Sequence, residues 1–323
     1  MMKTPISWFD ISWTSRMDGP GTRVVLYVSG CHLRCPWCHS PHSWEHTPAL
    51  MFFHDRCLLC GACQDSCPNG VHMIEDGRHT LDRERCERCG KCVSVCPTTS
   101  TKDSMSGALT LPGSRTDPEE LFDKLSAQLE LLKRIGGLTI GGGEPLLQER
   151  PLKRLLQKCV ESGYNTAVET SGSVPQQSIR NLLDLVDCWL FGLRPIPAER
   201  YKKTHTVDMR LVEVNLQFLT GAGRGRVIIR TPIIPDYTNN SFTFSTIADL
   251  MAECGLSEIE LLPLNPYSGL YYHAMGMIFP LGNNSRLAED DLKAACNFFK
   301  GREIETRVVR SGITNGGSVH AYA

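Results

Sequence analysis

The chain has 323 residues, 41% of them hydrophobic, which supports one large α/β unit with a small insertion. A net charge of -1 argues against a general binder of nucleic acid or of anionic membrane. No apolar run approaches the ~20 residues of a membrane span, and residues 1–16 lack the basic-then-apolar pattern of a signal peptide, so no nucleic-acid partner, no membrane partner and a cytoplasmic location are expected.

Residues 23–30, RVVLYVSG, form a β-branched apolar run predicted as a buried strand that delivers Cys31 at its end. From residue 51 to 106 the composition turns to cysteine, charge and turn residues with little apolar periodicity. This stretch is expected to be an insertion held together by metal, dividing the chain into 51–106 and a main unit of 1–50 plus 107–323. Thr116, Asp117 and Pro118 followed by Glu119 and Glu120 mark a helix start: a capping side chain, proline in the first turn, then acids at the positive end of the dipole. Leu121, Leu125, Leu129 and Leu132 form its apolar stripe, and Gly136 and Gly137 are read as its end. A short strand over 138–140 runs into Gly141, Gly142, Gly143, Glu144 and Pro145. Helices are predicted near 149–161, 176–185, 210–219, 243–253 and 288–299, and strands near 165–170, 188–192, 226–230, 258–262 and 304–309. This alternation predicts a parallel α/β fold, and its six or seven units suit a partial (β/α)6-type TIM barrel with an inserted subdomain better than a small flavodoxin-like sheet. In such barrels chemistry gathers at the C-terminal strand ends, where the motifs below all fall.

Eleven of the 15 cysteines lie in short motifs, which in a large chain points to metal rather than disulfides. The others, Cys159, Cys188, Cys254 and Cys296, read as plain thiols of the packed interior. Cys57, Cys60, Cys63 and Cys67, then Pro68, follow C-x2-C-x2-C-x3-C-P, and Cys86, Cys89, Cys92 and Cys96, then Pro97, repeat it. This is the bacterial ferredoxin pattern, in which the fourth cysteine of each run serves the other cluster. The expected ligand sets are therefore Cys57, Cys60, Cys63 and Cys96 for one [4Fe-4S] cube, and Cys86, Cys89, Cys92 and Cys67 for the second. Zinc is the alternative, but four-cysteine zinc sites usually use two separated pairs.

Cys31, Cys35 and Cys38, spaced C-x3-C-x2-C, supply three thiolates where a cube takes four, leaving one iron for a small molecule that chelates through an amine and a carboxylate. Zinc or a redox thiol is the bland reading of the triad alone. Three features favour the cluster. Trp37 can pack beside an adenine, Gly142, Gly143 and Glu144 follow a strand with bare backbone, and Glu169 and Thr170 end the next strand with a carboxylate and a hydroxyl.

These residues resemble the radical S-adenosylmethionine enzymes, and within them the activating enzymes of glycyl radical enzymes. Asp18-Gly19-Pro20-Gly21-Thr22-Arg23 is similar to the family's D-G-P-G-x-R entry segment, and Cys31 to His39 to its cluster loop. Gly142-Gly143-Glu144-Pro145, Glu169-Thr170-Ser171-Gly172, Arg230-Thr231-Pro232 and Leu261-Leu262-Pro263 continue the likeness in order, over about residues 17–275. The resemblance implies three [4Fe-4S] clusters and S-adenosylmethionine, cleaved reductively to a 5'-deoxyadenosyl radical that takes a hydrogen atom from a glycine Cα of a partner glycyl radical enzyme. It implies an electron donor such as flavodoxin or ferredoxin. Cys31, Cys35 and Cys38 would be the catalytic cluster ligands, and Trp37, Gly142, Gly143, Glu144, Glu169, Thr170, Arg194, Arg230 and Asn265 the cofactor contacts.

Ser40-Pro41 stands where the family more commonly has Asn-Pro, and two further places depart from its pattern. Gly192-Leu193-Arg194 stands where Asp-Leu-Lys is usual, so Arg194 would be the fork for the cofactor carboxylate, and the aspartate that ligates a monovalent cation in some members is absent. Leu264-Asn265 stands where Tyr-His is common. Of the loop histidines His39, His42, His46 and His54, most are expected to be solvated, with His39 the one facing substrate. Lys202 and Lys203 read as a solvated face. The competing functions are a radical enzyme acting on a peptide or small molecule, and a simple electron carrier.

Overall fold

The computed structural model describes residues 4–99, 105–197, 208–282 and 287–310; Lys202 and Lys203 lie outside them. A nine-stranded sheet runs in the order Glu305–Val308, Glu258–Pro263, Arg226–Ile233, Cys188–Gly192, Asn165–Thr170, Gly136–Gly142, Thr22–Val28, Ile6–Ser15, Ser114–Thr116. The first seven in this order are mutually parallel; at one edge Ile6–Ser15 pairs antiparallel with Thr22–Val28, and Ser114–Thr116 pairs antiparallel with Ile6–Ser15. The sheet curls. Met17, just past the antiparallel strand, packs against Leu262 and Val309, and Arg307 Nη2 donates to Arg16 O at 3.0 Å.

The helices between parallel strands seal the outer face. Pro118–Leu132 starts as the sequence indicates, with the Asp117 carboxylate accepting from Glu119 N–H at 3.0 Å. Its four stripe leucines are buried, each contributing about 1.5–3 kcal/mol relative to exposure. The expectation for Gly136 and Gly137 needs correction: the helix stops at Leu132, and the two glycines open the next strand. A Cβ on Gly136 would stand 1.6 Å from Thr22 O, and one on Gly137 1.9 Å from Asn165 O, so the pair lets three strands close on one another.

The cysteine-rich segment leaves the main body on the two-residue strand Met51–Phe52 and returns on Leu109–Thr110, which pair antiparallel. Between them two five-residue helices, Ala62–Ser66 and Lys91–Val95, each follow a left-handed glycine, Gly61 at φ 81° and Gly90 at φ 76°. Leu59 and Arg88, at equivalent places in the two motifs, are also left-handed, so the repeat in sequence is a repeat in backbone shape. A hairpin of His72–Glu75 and Arg78–Leu81 joins the halves. The apolar core here is small, built on Leu50, Phe52, Val93 and Leu109. Arg83 ties the segment to the main body, with Nη1 donating to Leu50 O at 2.6 Å and Nη2 to Ala274 O at 2.7 Å.

Candidate active site

The C-terminal ends of the parallel strands open onto a cleft of about 840 Å3. Cys31, Cys35 and Cys38 form one wall. Gly142 to Glu144, Glu169 and Thr170, Arg194 and Asn265 follow round it from successive strand ends. The cysteine loop is held by main chain: Gly30 N–H donates to Ser43 O at 2.7 Å, Cys31 N–H to Trp44 O at 2.9 Å and Cys38 N–H to Cys35 O at 2.9 Å. Burial pushes the Cys31 and Cys38 thiols up to about 12, and raises Cys35 against the pull of the Arg194 guanidinium beside it. Thiols raised this far ionise only against a compensating cation, a condition that bound iron meets. Among the described residues the lining offers no fourth thiol, so the donor set fits a cube with one iron left for another ligand.

The glycine turn after Gly136–Gly142 is pressed against the neighbouring strand. Gly143 N–H donates to Val28 O at 2.8 Å and Glu144 N–H to Gly30 O at 2.9 Å, while a Cβ on Gly143 would stand 2.4 Å from Gly30 O. These two amides are thus engaged within the fold, and the glycines serve the close approach of backbone to backbone. The Glu144 carboxylate is buried and saturated. It accepts from Leu146 N–H at 3.2 Å, Thr170 Oγ1–H at 2.8 Å, Ser171 N–H at 2.8 Å and Ser171 Oγ–H at 2.6 Å. It caps the turn that follows and clamps the Thr170-Ser171 corner.

Glu169 is buried with Oε1 2.8 Å from Arg230 Nη1; burial pushes it up to about 7, with Arg230 opposing. Arg230 itself does not line the cleft. It lies behind Glu169, with Nε 3.0 Å from Glu260 Oε2 and Nη2 donating to Met17 O at 2.6 Å. Arg194 lies over Gly192, where a Cβ would stand 2.6 Å from Nη2, and its buried Nε has no partner among the described residues. Asn265 Oδ1 accepts from Tyr267 N–H at 2.9 Å, leaving its buried Nδ2 likewise without a partner. Two unmet donors in one lining suit an anionic group on a ligand. Trp37 packs with Ile196 and Ile234, its ring 5.5 Å from that of Tyr237.

Three contributors escaped the sequence reading. Ser171 lay inside a quoted motif without a role. Trp44 and Tyr272, rings 5.9 Å apart, flank the cysteine loop; Tyr272 comes from the helix Ser268–Ala274, which no periodicity announced. The solvated reading of the histidines holds for His46 and His54, which are exposed, and fails for His42. His42 is buried against the rings of Phe9 at 4.8 Å and Tyr271 at 5.3 Å, and burial lowers it to about 3. His39 is buried and lines the cleft. Cys159 and Cys188 are buried thiols, whereas Cys254 and Cys296 are half-buried.

The inserted segment contains two further cavities. One, of about 310 Å3, is lined by Cys57, Cys60, Cys63 and Cys96; the other, of about 350 Å3, by Cys86, Cys89, Cys92 and Cys67. The crossed sets expected from the spacing are the sets the fold brings together.

Residues 47–100 match the 4Fe-4S dicluster domain family. The chain is similar to the indoleacetate decarboxylase activating enzyme of Tractidigestivibacter scatoligenes, 30% identical over 280 residues, covering 85% of this chain and 88% of the relative. It is similar to the isethionate sulfite-lyase activating enzyme of Nitratidesulfovibrio vulgaris, 31% identical over 292 residues, covering 89% of this chain and 93% of the relative. In fold it is similar to Streptococcus suis SuiB bound to precursor peptide SuiA, with a TM-score of 0.51, 12% identity, and 89% of this chain and 48% of that one covered. On identity sustained over nearly its whole length, the chain belongs to the activating enzymes of glycyl radical enzymes, within the radical S-adenosylmethionine enzymes.

Proposed function

We propose that the cleft binds S-adenosylmethionine against an iron–sulfur cluster on Cys31, Cys35 and Cys38, and that the enzyme uses it to install a radical on a glycine of a partner glycyl radical enzyme. The observation that carries this reading is the convergence of three half-buried thiols, Glu169 and two unmet donors, Arg194 Nε and Asn265 Nδ2, on one cleft. When bound, cluster and cofactor supply a carbon radical able to abstract a hydrogen atom from a glycine Cα.

The chain's own residues bind and orient. Arg194 and Asn265 donate to the cofactor carboxylate. Glu169, braced by Arg230, faces its ammonium, and Trp37 packs beside its adenine. Glu144 holds the Thr170 corner, and Gly142 and Gly143 keep the turn thin enough to leave the cleft open. No general acid or base is required, and the buried lining excludes water.

At larger scale, residues 1–50 and 107–323 form a partial (β/α)6-type barrel, and residues 51–106 a ferredoxin-like insertion. The insertion holds two more [4Fe-4S] clusters, three in all, fed by a donor such as flavodoxin or ferredoxin in an anaerobic cytoplasm. Its cysteines are ligated in crossed fours, which leaves the open iron to the first site.

Anaerobically prepared protein should contain about twelve iron and twelve sulfide per chain. Cys35→Ala should abolish 5'-deoxyadenosine formation while the eight irons of the insertion remain. With reductant, S-adenosylmethionine and a glycyl radical enzyme from the same organism, the wild type should give an organic radical signal on that partner. A modified small product with a radical-free partner would overturn the assignment.

A further inference from the structure

The two cavities of the insertion are built on the same repeat, yet their surroundings differ. His79 lines the cavity of Cys57, Cys60, Cys63 and Cys96, and its Nδ1 lies 3.4 Å from Cys57 Sγ. His79 Nε2 lies 3.0 Å from Nδ1 of His72, and His72 lines the other cavity. Both imidazoles are buried, and His72 Nε2 has no partner among the described residues. The two rings therefore form a hydrogen-bonded wedge between the cavities.

The direction of that wedge follows from donor chemistry. An iron-bound thiolate can only accept, and Cys57 Sγ, 3.4 Å from Nδ1, lies closer than Cys63 Sγ, 3.8 Å from Nε2, so the shorter contact selects the His79 tautomer with hydrogen on Nδ1. His79 Nε2 then accepts from His72 Nδ1–H, and His72 Nε2 presents a lone pair. The first cavity receives a donor, and the second is bordered by an acceptor. A second side-chain donor adds to the imbalance. Thr98 Oγ1 accepts from Ala108 N–H at 2.8 Å, which leaves its hydrogen for Cys96 Sγ at 3.2 Å. Among the described residues no side chain donates to a sulfur of the second set.

Hydrogen bonds to cluster sulfurs stabilise the reduced, more negative state and raise the reduction potential. Resting on the reading that the insertion holds two cubes, we propose that His79, oriented by His72, and Thr98 are positioning residues that set the cluster of Cys57, Cys60, Cys63 and Cys96 at the higher potential of the pair. An electron shared between the two then resides mainly in that cube.

The test is a potentiometric titration of the full chain, all clusters loaded, followed by EPR. A Cys60→Ser variant identifies the transition that belongs to the first set. His79→Phe keeps the packing against Phe52, whose ring lies 4.3 Å away, but removes the donor. It should weaken reduction of that one cluster about tenfold, about 59 mV for a one-electron couple, and leave the second cluster's midpoint no lower. Thr98→Val, which leaves the histidines alone, should move the same transition the same way. Full iron content with that midpoint unmoved in both variants, or an equal shift in both clusters, overturns the proposal. An insertion that binds no iron overturns the two-cube reading and this inference with it.

Discussion

Arg230 carries more structural than chemical weight. Its guanidinium is almost wholly buried between Glu169 and Glu260, with Asp18 Oδ1 3.9 Å away. Removing it strands carboxylates in a dry interior, so Arg230→Met should cost about 3–5 kcal/mol in urea unfolding, with Arg230→Lys recovering part of the loss. The same burial gives Glu169 a pH signature. Its carboxyl rises from 4.5 unfolded to about 7 folded, so the folded state binds the proton more tightly. The stability this group contributes is complete below pH ~4.5 and is lost as the pH climbs through ~7. Denaturation of the cofactor-free protein across that window should show the decline, and Glu169→Gln should reduce it, the remainder coming from Asp10, whose carboxyl burial also pushes up to about 7. Glu169 was legible as a site residue because it closes a strand before a turn glycine. Arg230 was legible as important but not as hidden, because three strands and the sheet's curl decide which side of Glu169 it occupies.

Among the elements, the helices and strands of the main body were readable wherever period and punctuation agreed. Glu149–Glu161, Asn165–Thr170 and Cys188–Gly192 fall where the pattern puts them. The glycine pair at 136–137 misled because glycine after an apolar stripe ordinarily ends a helix, and only the close approach of Thr22 and Asn165 reveals its other use. Gly136→Ala should therefore cost about 3 kcal/mol or more, far above the ~1 kcal/mol of a glycine in a tolerant strand. Asp117→Ala, by contrast, removes only a cap and should cost about 1 kcal/mol, both measured by equilibrium denaturation. The strand Ile6–Ser15 went unread because it is antiparallel and buried along most of both faces, which blurs the alternation that marks a half-buried strand.

For the whole molecule, the contrast lies between a main body with a continuous apolar core and an insertion with hardly any. Five-residue helices are too short to persist alone, so on the proposed two-cluster reading the segment takes its shape from bound metal. Stripping iron with a chelator should open residues 53–108 to limited proteolysis while the parallel sheet stays folded and resistant. Mass spectrometry of the fragments checks this, and cleavage spread evenly over the chain would contradict it.

The antiparallel pair Met51–Phe52 and Leu109–Thr110 has a wider consequence, because Phe52 and Leu109 stand opposite each other. A module whose two ends exit side by side can be excised or grafted as a cassette, its gap bridged by a tight turn of two residues such as Asn-Gly. Losing the module would cost the main body the Arg83 bonds to Leu50 and Ala274 and the packing of Phe53 and Met105 on Tyr271, while the parallel sheet would keep its strand order.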